Sequence, residues 1–301
     1  MQKTLISIIG STGIGKTKLA IEMAKHFGTE IISCDSRQVF KEMKIGTATP
    51  TDEELAQAKH HFIGHLSVQD YYSIGQYEED ALEKIEEIFE KNDFAVLVGG
   101  SMMYEKAVVE GLNDLPEANA ENQEKLQKIL DEEGLEKLQE ILKNLDEEYY
   151  NVVHKENPRR LLRAIDVIWQ TGRKYSEIIA EPKHKRDFKV IRIGITAPRE
   201  IMYERINLRV DKMLENGLID EVKSLTEYQK LVPLQTVGYT EIFKYLEGTW
   251  DLDFAVEEIK KNSRRYAKRQ ETWNRKVENV TWLPYDYSEE QLHEILSKIE
   301  K

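Results

Sequence analysis

The chain reads as an α/β protein: a parallel sheet core flanked by helices, with a helical insertion. Three observations predict this. An apolar run, "TLISIIG", flows into glycine-rich "GSTGIGKT" and then into a helical pattern. Two further apolar runs, "EIISC" and "DFAVLVGGS", alternate with helical periodicity and stop at polar or glycine residues. From Pro116 the strand pattern vanishes, and it returns only at "KVIRIGIT", residues 189–196. Strands alternating with helices imply a parallel sheet covered on both faces, and ligands gather at the carboxyl ends of such strands.

Taken in order, the first apolar run is too short for a secretion signal and leads directly into the glycine loop, so it reads as a strand. The helix that follows from Gly15 carries Leu19, Ala20, Met23 and Ala24 on one side. The second strand ends at Asp35, a helix lies near 74–91, and the third run closes on Gly99 and Gly100. Leu126, Ile129, Leu130, Leu138, Ile141, Leu142 and Leu145 then recur at helical spacing, broken by Gly134, which predicts a two-helix hairpin with acidic outer faces. The expected division is therefore a core of 1–115 and 188–301 and an insertion of 116–187. Near the carboxyl terminus Ala255, Ile259, Tyr266 and Trp273 form an apolar stripe, and a capping box at Ser288 predicts a last helix.

Composition narrows the class. The chain has 301 residues, 40% hydrophobic and 33% charged, which suits a globular protein. Its single cysteine, Cys34, forbids an internal disulfide and fits a reducing cytoplasm. No stretch approaches the roughly 20 apolar residues that span a membrane. A net charge of −12 argues against a general nucleic-acid coat, yet the charge is uneven: 117–150 is acidic, while 155–174, 183–186 and 260–276 are basic. A monomer is the default expectation.

Several segments carry chemistry. In Gly10, Ser11, Thr12, Gly13, Ile14, Gly15, Lys16 and Thr17 the spacing is that of a phosphate-binding loop, so the core is P-loop NTPase-like. Backbone N–H groups would cradle phosphate oxygens, Lys16 would add a point charge, and the Thr17 hydroxyl can hold Mg²⁺. The loop binds a di- or triphosphate without saying which. Asp35 is either a carboxylate organising magnesium or a general base, with Ser36, Arg37 and Gln38 beside it able to read a flat polar group. "VLVGGSMMY" ends in glycines and Ser101 where an ATPase often carries an acid; a tight strand-to-helix turn is the other reading. Arg159, Arg160 and Arg163 share one side of a helix that also carries Leu161 and Leu162, and serve either solvation or phosphate contact. Eight basic residues fall within 260–276, against one acidic residue, Glu271. Arg205 and Arg209 can reach the phosphate loop or pair with Glu204 or Asp211. His61 and His65, four apart, suggest a metal pair that Gly64 spoils.

Eight blocks together resemble the bacterial tRNA dimethylallyltransferases, also called tRNA isopentenyltransferases. They are "GSTGIGKT", "ISCDSRQVF", "IGTATP", "VGGSMMY", "NPRRLLRAIDV", "RINLRVDKML", "VGYTEIFKYLEG" and "RRYAKRQETW", in family order. The resemblance implies a transferase that joins the dimethylallyl group of dimethylallyl diphosphate to N6 of the adenosine 3′ to the anticodon. It implies that the P-loop holds the diphosphate with Mg²⁺, that Asp35 accepts the N6 proton, and that Lys16, Thr17 and Arg209 stabilise the leaving group. It further implies that Ser36, Arg37, Gln38 and Ser101 lie at the adenine, and that Arg159 to Arg163, with Gln123 where many members have arginine, contact tRNA. An enzyme that prenylates free AMP or ATP, and a nucleotide kinase, are the alternatives; the insertion and basic segments favour a polynucleotide acceptor.

Overall fold

The computed structural model describes residues 2–300, which divide into two compact units. The first runs up to Val109 and resumes at Arg186; the second is Glu110–Lys185. The first begins with β1 (Thr4–Gly10), α1 (Lys16–Phe27), β2 (Ile31–Ser33), α2 (Asp52–Leu55), β3 (His60–His61), α3 (Ile74–Phe89), β4 (Phe94–Val98) and α4 (Met102–Glu110). Five helices follow: α5 (Ala120–Glu133), α6 (Leu135–Leu145), α7 (Glu147–Val152), α8 (Pro158–Thr171) and α9 (Tyr175–Ala180). The first unit is completed by β5 (Lys189–Thr196), α10 (Arg199–Glu215), α11 (Leu218–Ser224), α12 (Tyr239–Leu246), α13 (Leu252–Asn274), β6 (Val280–Pro284) and α14 (Glu289–Ile299).

The six strands form one parallel sheet in the order β3-β2-β4-β1-β5-β6. β1 is buried at every residue because it is hydrogen-bonded on both edges and covered on both faces. Its alternating side chains divide between the faces. Ile6 and Ile8 pack with Leu19 and Met23 of α1 and with Ile295 of α14. Leu5 joins Ile32 and Leu97 against Tyr77 and Ile85 of α3 and Val108 of α4. Ser7, wholly buried in the middle, donates to the Glu105 carboxylate (2.9 Å), which also accepts from Arg192 Nε (3.0 Å). A third cluster ties the segment after β2, through Val39, Phe40 and Met43, to Val210, Tyr239 and Ile259. It fixes α10 to α13 beside the strand ends where ligands are expected.

Two strands were not visible as periodicity. β3 is two residues long, and in β6 only Leu283 is buried, so neither shows an apolar run. β6 is held instead by Trp282, which lies so close to Gly194 of β5 that a methyl group there would sit 2.4 Å from the indole. α14 opens on Ser288 with the expected capping box.

The second unit has its own core. Leu126, Leu138 and Leu142 meet Leu161, Ala164 and Ile165 of α8, while the acidic residues of α5 and α6 stay outside. Asp166, fully buried, accepts from Asn119 N–H (3.4 Å), Asn122 Nδ2 (3.0 Å), Arg163 Nη1 (3.3 Å) and Gln170 Nε2 (3.0 Å). One carboxylate thus joins the start of α5 to α8. Asp166→Ala strands those donors and is expected to cost about 3 kcal/mol, more than Asp166→Asn. Urea unfolding of the two variants checks this, and a loss under about 1 kcal/mol in Asp166→Ala would refute the tie.

Candidate active site

The phosphate loop links β1 to α1. α1 starts at Lys16 behind Gly15, with no side chain capping its end and no acidic residue in its first turn. Its first N–H groups and the positive end of its dipole are therefore left for an anion. Lys16 Nζ meanwhile donates to the Gly10 and Ser11 carbonyls (3.0 and 2.9 Å). Desolvation in the pocket wall and the neighbouring Arg209 guanidinium pull this ammonium down to about 8, against the smaller opposing pull of Asp35. Of the three α10 arginines, Arg205 and Arg209 face the site. Arg205 Nε donates to the Gly13 carbonyl (3.0 Å) and Arg209 Nη2 to the Thr47 carbonyl (3.1 Å). Asp211, the alternative partner, binds Lys260 instead (2.8 Å).

Asp35 stands just past β2. Its Oδ1 accepts from the N–H groups of Arg37 (2.9 Å) and Gln38 (3.3 Å), which orients the carboxylate and leaves Oδ2 without a hydrogen bond among the described residues. The neighbouring strand end must come very close: a Cβ on Gly99 would sit 2.3 Å from the Cys34 carbonyl carbon and 2.7 Å from the Asp35 nitrogen. A Cβ on Gly100 would lie 2.9 Å from Asp35 Oδ2. The glycines of "GGS" thus let β2 and β4 end side by side. Ser101 caps α4, its Oγ accepting from Tyr104 N–H (3.4 Å), and it lines neither cavity described below. Cys34 is buried and its thiol is pushed well up by desolvation, so it stays protonated.

Gln270 of α13, 1% exposed, had no place in the sequence reading. Its Oε1 accepts from Thr12 N–H (2.8 Å) and its Nε2 donates to the Gly100 carbonyl (2.7 Å). Tyr266 OH donates to the same carbonyl (2.9 Å). One amide therefore bridges the phosphate loop and the loop beside Asp35. The available signal was a polar residue in the buried register of an amphipathic helix, between Ala267 and Asn274.

Two cavities meet here. The larger, about 970 Å³, runs from Lys16 and Thr17 to an apolar wall that includes Ile45, Leu55, Leu208 and Met213. The smaller, about 510 Å³, is bordered by Ser36, Arg37, Tyr266 and Arg269. Thr12, Asp35, Arg209 and Met213 line both. Gln38 borders the larger one, and its amide donates to the carbonyls of Thr47 (3.2 Å) and Ala48 (3.1 Å). Among the described residues no three His, Cys, Asp or Glu side chains gather to hold a metal by themselves. Thr17 and Asp35 offer oxygens in the larger cavity, so a divalent cation held there would take most of its ligands from a bound anion and water.

The basic residues separate by role. On α13, Lys260 pairs with Asp211 and Glu257, and Lys261 with Glu258. Further along, Arg265, Lys268, Arg269 and Lys276 line an open groove with Trp273, whose ring also lies under Lys106. Trp273 is therefore a groove residue, not the core residue its place in the stripe suggested. His61 Nε2 donates to the Glu30 carboxylate (2.6 Å). In the second unit Arg159 and Arg160 are exposed and Gln123 half-exposed. Leu161 is fully buried and Leu162 packs on the same core, so neither side chain is presented as a contact. Arg163 is engaged by Asp166 and by the Pro116 carbonyl.

Residues 38–277 match the model of the family described as IPP transferase. A tRNA dimethylallyltransferase of Christiangramia forsetii is 49% identical over 300 residues, covering 99% of each chain. A tRNA dimethylallyltransferase 1 of Bacteroides fragilis is 46% identical, over 99% of this chain and 98% of its own. Among solved structures, a tRNA isopentenylpyrophosphate transferase of Bacillus halodurans superposes with a TM-score of 0.73 at 36% identity, covering 99% of this chain and 96% of that one. A eukaryotic dimethylallyltransferase acting on tRNA gives a TM-score of 0.85 at 27% identity, over 98% and 79%.

The lowered Lys16 value has a sign. Burial favours the neutral amine, so the cation that an anion needs is complete well below pH 8 and lost above it. Calorimetric affinity for inorganic diphosphate is expected to fall between about pH 7 and pH 9, by up to tenfold per unit at the upper end. Lys16→Met should bind weakly without this added fall. If both proteins follow one curve, Lys16 is not the titrating group.

Proposed function

The chain belongs to the IPP transferase family, and on that premise we propose that it moves the dimethylallyl group of dimethylallyl diphosphate to N6 of the adenosine 3′-adjacent to the anticodon of tRNA, releasing diphosphate. The observation that carries the residue roles is the meeting of two cavities at one carboxylate. The larger has a phosphate loop at one end and an apolar wall beside it; the smaller is rimmed by polar and aromatic side chains. A five-carbon diphosphate suits the first and a flipped-out adenine the second, with Asp35 between them.

In the reaction the N6 lone pair forms a bond to C1 of the allylic group as the C1–O bond breaks, and the electron pair leaves with the diphosphate. Free α1 N–H groups, Lys16 and Arg209 meet the charge that develops on the leaving oxygens. Thr17 would hold the Mg²⁺ that neutralises part of that charge. N6 becomes acidic as its bond to carbon forms, and Asp35 Oδ2, the oxygen not tied to its own turn, takes the proton. Arg37 and Ser36 border the adenine side. The target base must leave the anticodon stack, at a cost of a few kcal/mol. Arg159 and Arg160 of the second unit and the basic groove of α13 supply phosphate contacts toward that cost.

The relatives are named for tRNA, which favours the polynucleotide over free AMP or ATP as acceptor. No helix among the described residues is long and apolar enough to cross a membrane. We place the activity in the cytoplasm, where tRNA is modified.

Asp35→Asn is the informative substitution, because an amide oxygen can still accept from Arg37 and Gln38 while losing basicity. Transfer from labelled dimethylallyl diphosphate to unmodified tRNA is expected to drop about 10²- to 10⁴-fold with tRNA affinity retained. Near-normal turnover would exclude Asp35 as the base. Label that enters AMP and not tRNA would overturn the acceptor. In the groove, Lys268→Ala and Lys276→Ala should each lower the slope of log affinity against log salt by about 1, and an unchanged slope removes that residue from the RNA contact.

A further inference from the structure

The segment Lys44–Thr49 separates the two cavities: Ile45, Ala48 and Thr49 line the larger, Gly46 and Thr47 the smaller. It is a turn closed on itself, with Ala48 N–H to the Ile45 carbonyl (2.9 Å) and Thr49 N–H to the Lys44 carbonyl (3.0 Å). Ala48 adopts a left-handed φ of 46°, which an alanine does not choose unaided. External contacts therefore hold the turn in place.

Its carbonyls are bound by site residues. Gln38 Nε2 donates to Thr47 and Ala48, and Arg209 Nη2 to Thr47. Its N–H groups are bound by a residue that lines neither cavity. Glu221 of α11 accepts from Ile45 N–H (2.7 Å) on one oxygen and from Gly46 N–H (2.9 Å) on the other. That second oxygen also accepts from Tyr239 OH (2.6 Å). The Tyr239 ring is packed so closely on the turn that a Cβ at Gly46 would lie 2.5 Å from it. Charge-assisted bonds of this kind are the stronger class, and paired N–H acceptance fixes direction as well as distance.

We propose that Glu221, braced by Tyr239, is a positioning residue for the transfer reaction: it holds the 44–49 turn so that Gln38 and Arg209 stand correctly between the two substrates. This rests on the function proposed above. The carboxylate touches neither substrate and acts through two backbone N–H groups, the turn, and the two side chains bound to its carbonyls. Displacing reacting groups by about 1 Å can cost a hundredfold in rate.

The test uses the full chain, with Glu221→Gln as the main variant. The amide keeps size but must turn an NH₂ toward one of the two N–H groups, so one bond is lost and two donors are opposed. Tyr239→Phe removes only the brace, and Glu221→Asp is the conservative rescue. Thermal unfolding first establishes that each variant is folded. Amide hydrogen exchange at Ile45 and Gly46 then reads the bracket without reference to activity: protected in the wild type, exposed in Glu221→Gln. Steady-state transfer to tRNA is expected to show kcat reduced about 10- to 100-fold in Glu221→Gln, with KM for tRNA within about twofold, and partial recovery in Glu221→Asp. Folded Glu221→Gln with protected amides, or with exposed amides and wild-type kcat, overturns the proposal. Wild-type protein that transfers no label to tRNA overturns the proposed function instead; the bracket is then judged on exchange alone.

Discussion

Everything at this site depends on three parallel strands ending side by side. In the order β2-β4-β1, neighbouring strands are about 4.8 Å apart, so the loops leaving their carboxyl ends cannot avoid one another. β1 delivers the phosphate loop, β2 delivers Asp35, and β4 between them delivers almost nothing but backbone. That absence is the useful part. Because Gly99 and Gly100 have no side chains, the two outer loops close over the middle strand, and a single glutamine from α13 spans the remaining gap. A larger residue just past β4 would collide with the end of β2 and with Asp35.

The parts of the fold that were legible in the sequence are those whose burial is periodic. β1, β4 and β5, α1 and α3, and the hairpin of α5 and α6 all announce themselves through apolar spacing. β3 and β6 do not, because an edge strand is half in solvent and needs no apolar alternation. At the site, the phosphate loop and the place of Asp35 past β2 were readable from local spacing and strand pattern. Arg209 stayed open between the loop and an acidic partner; α10 turns it to the Thr47 carbonyl. Gln270, Tyr266 and Glu221 were not readable. Each acts across more than 150 residues of sequence, on a backbone group that carries no side-chain signature. Arg163 shows a further limit of spacing, which placed it on a contact face but could not show that the buried Asp166 also holds its guanidinium.

The helices on the carboxyl-terminal side divide their polar residues by depth. On α10, Arg205 and Arg209 point at loop carbonyls and so shape backbone while keeping charge in the cavity. On α13, one side is a sealed amide bridge and another a row of cations around Trp273. A single rigid helix of 23 residues thus carries both surfaces, so neither can shift without the other.

The depressed ammonium of Lys16 has a consequence outside catalysis. Near neutrality an ordinary surface lysine is almost wholly protonated and therefore unreactive toward electrophiles, whereas one whose pKa is about 8 keeps an appreciable share of free amine. With the phosphate loop vacant, Lys16 is then more open to an aryl sulfonyl fluoride or activated ester than an ordinary lysine is. A bound anion would restore its proton and silence it. The loop thereby carries its own occupancy reporter, and a covalent ligand aimed at this enzyme could be built on that lysine.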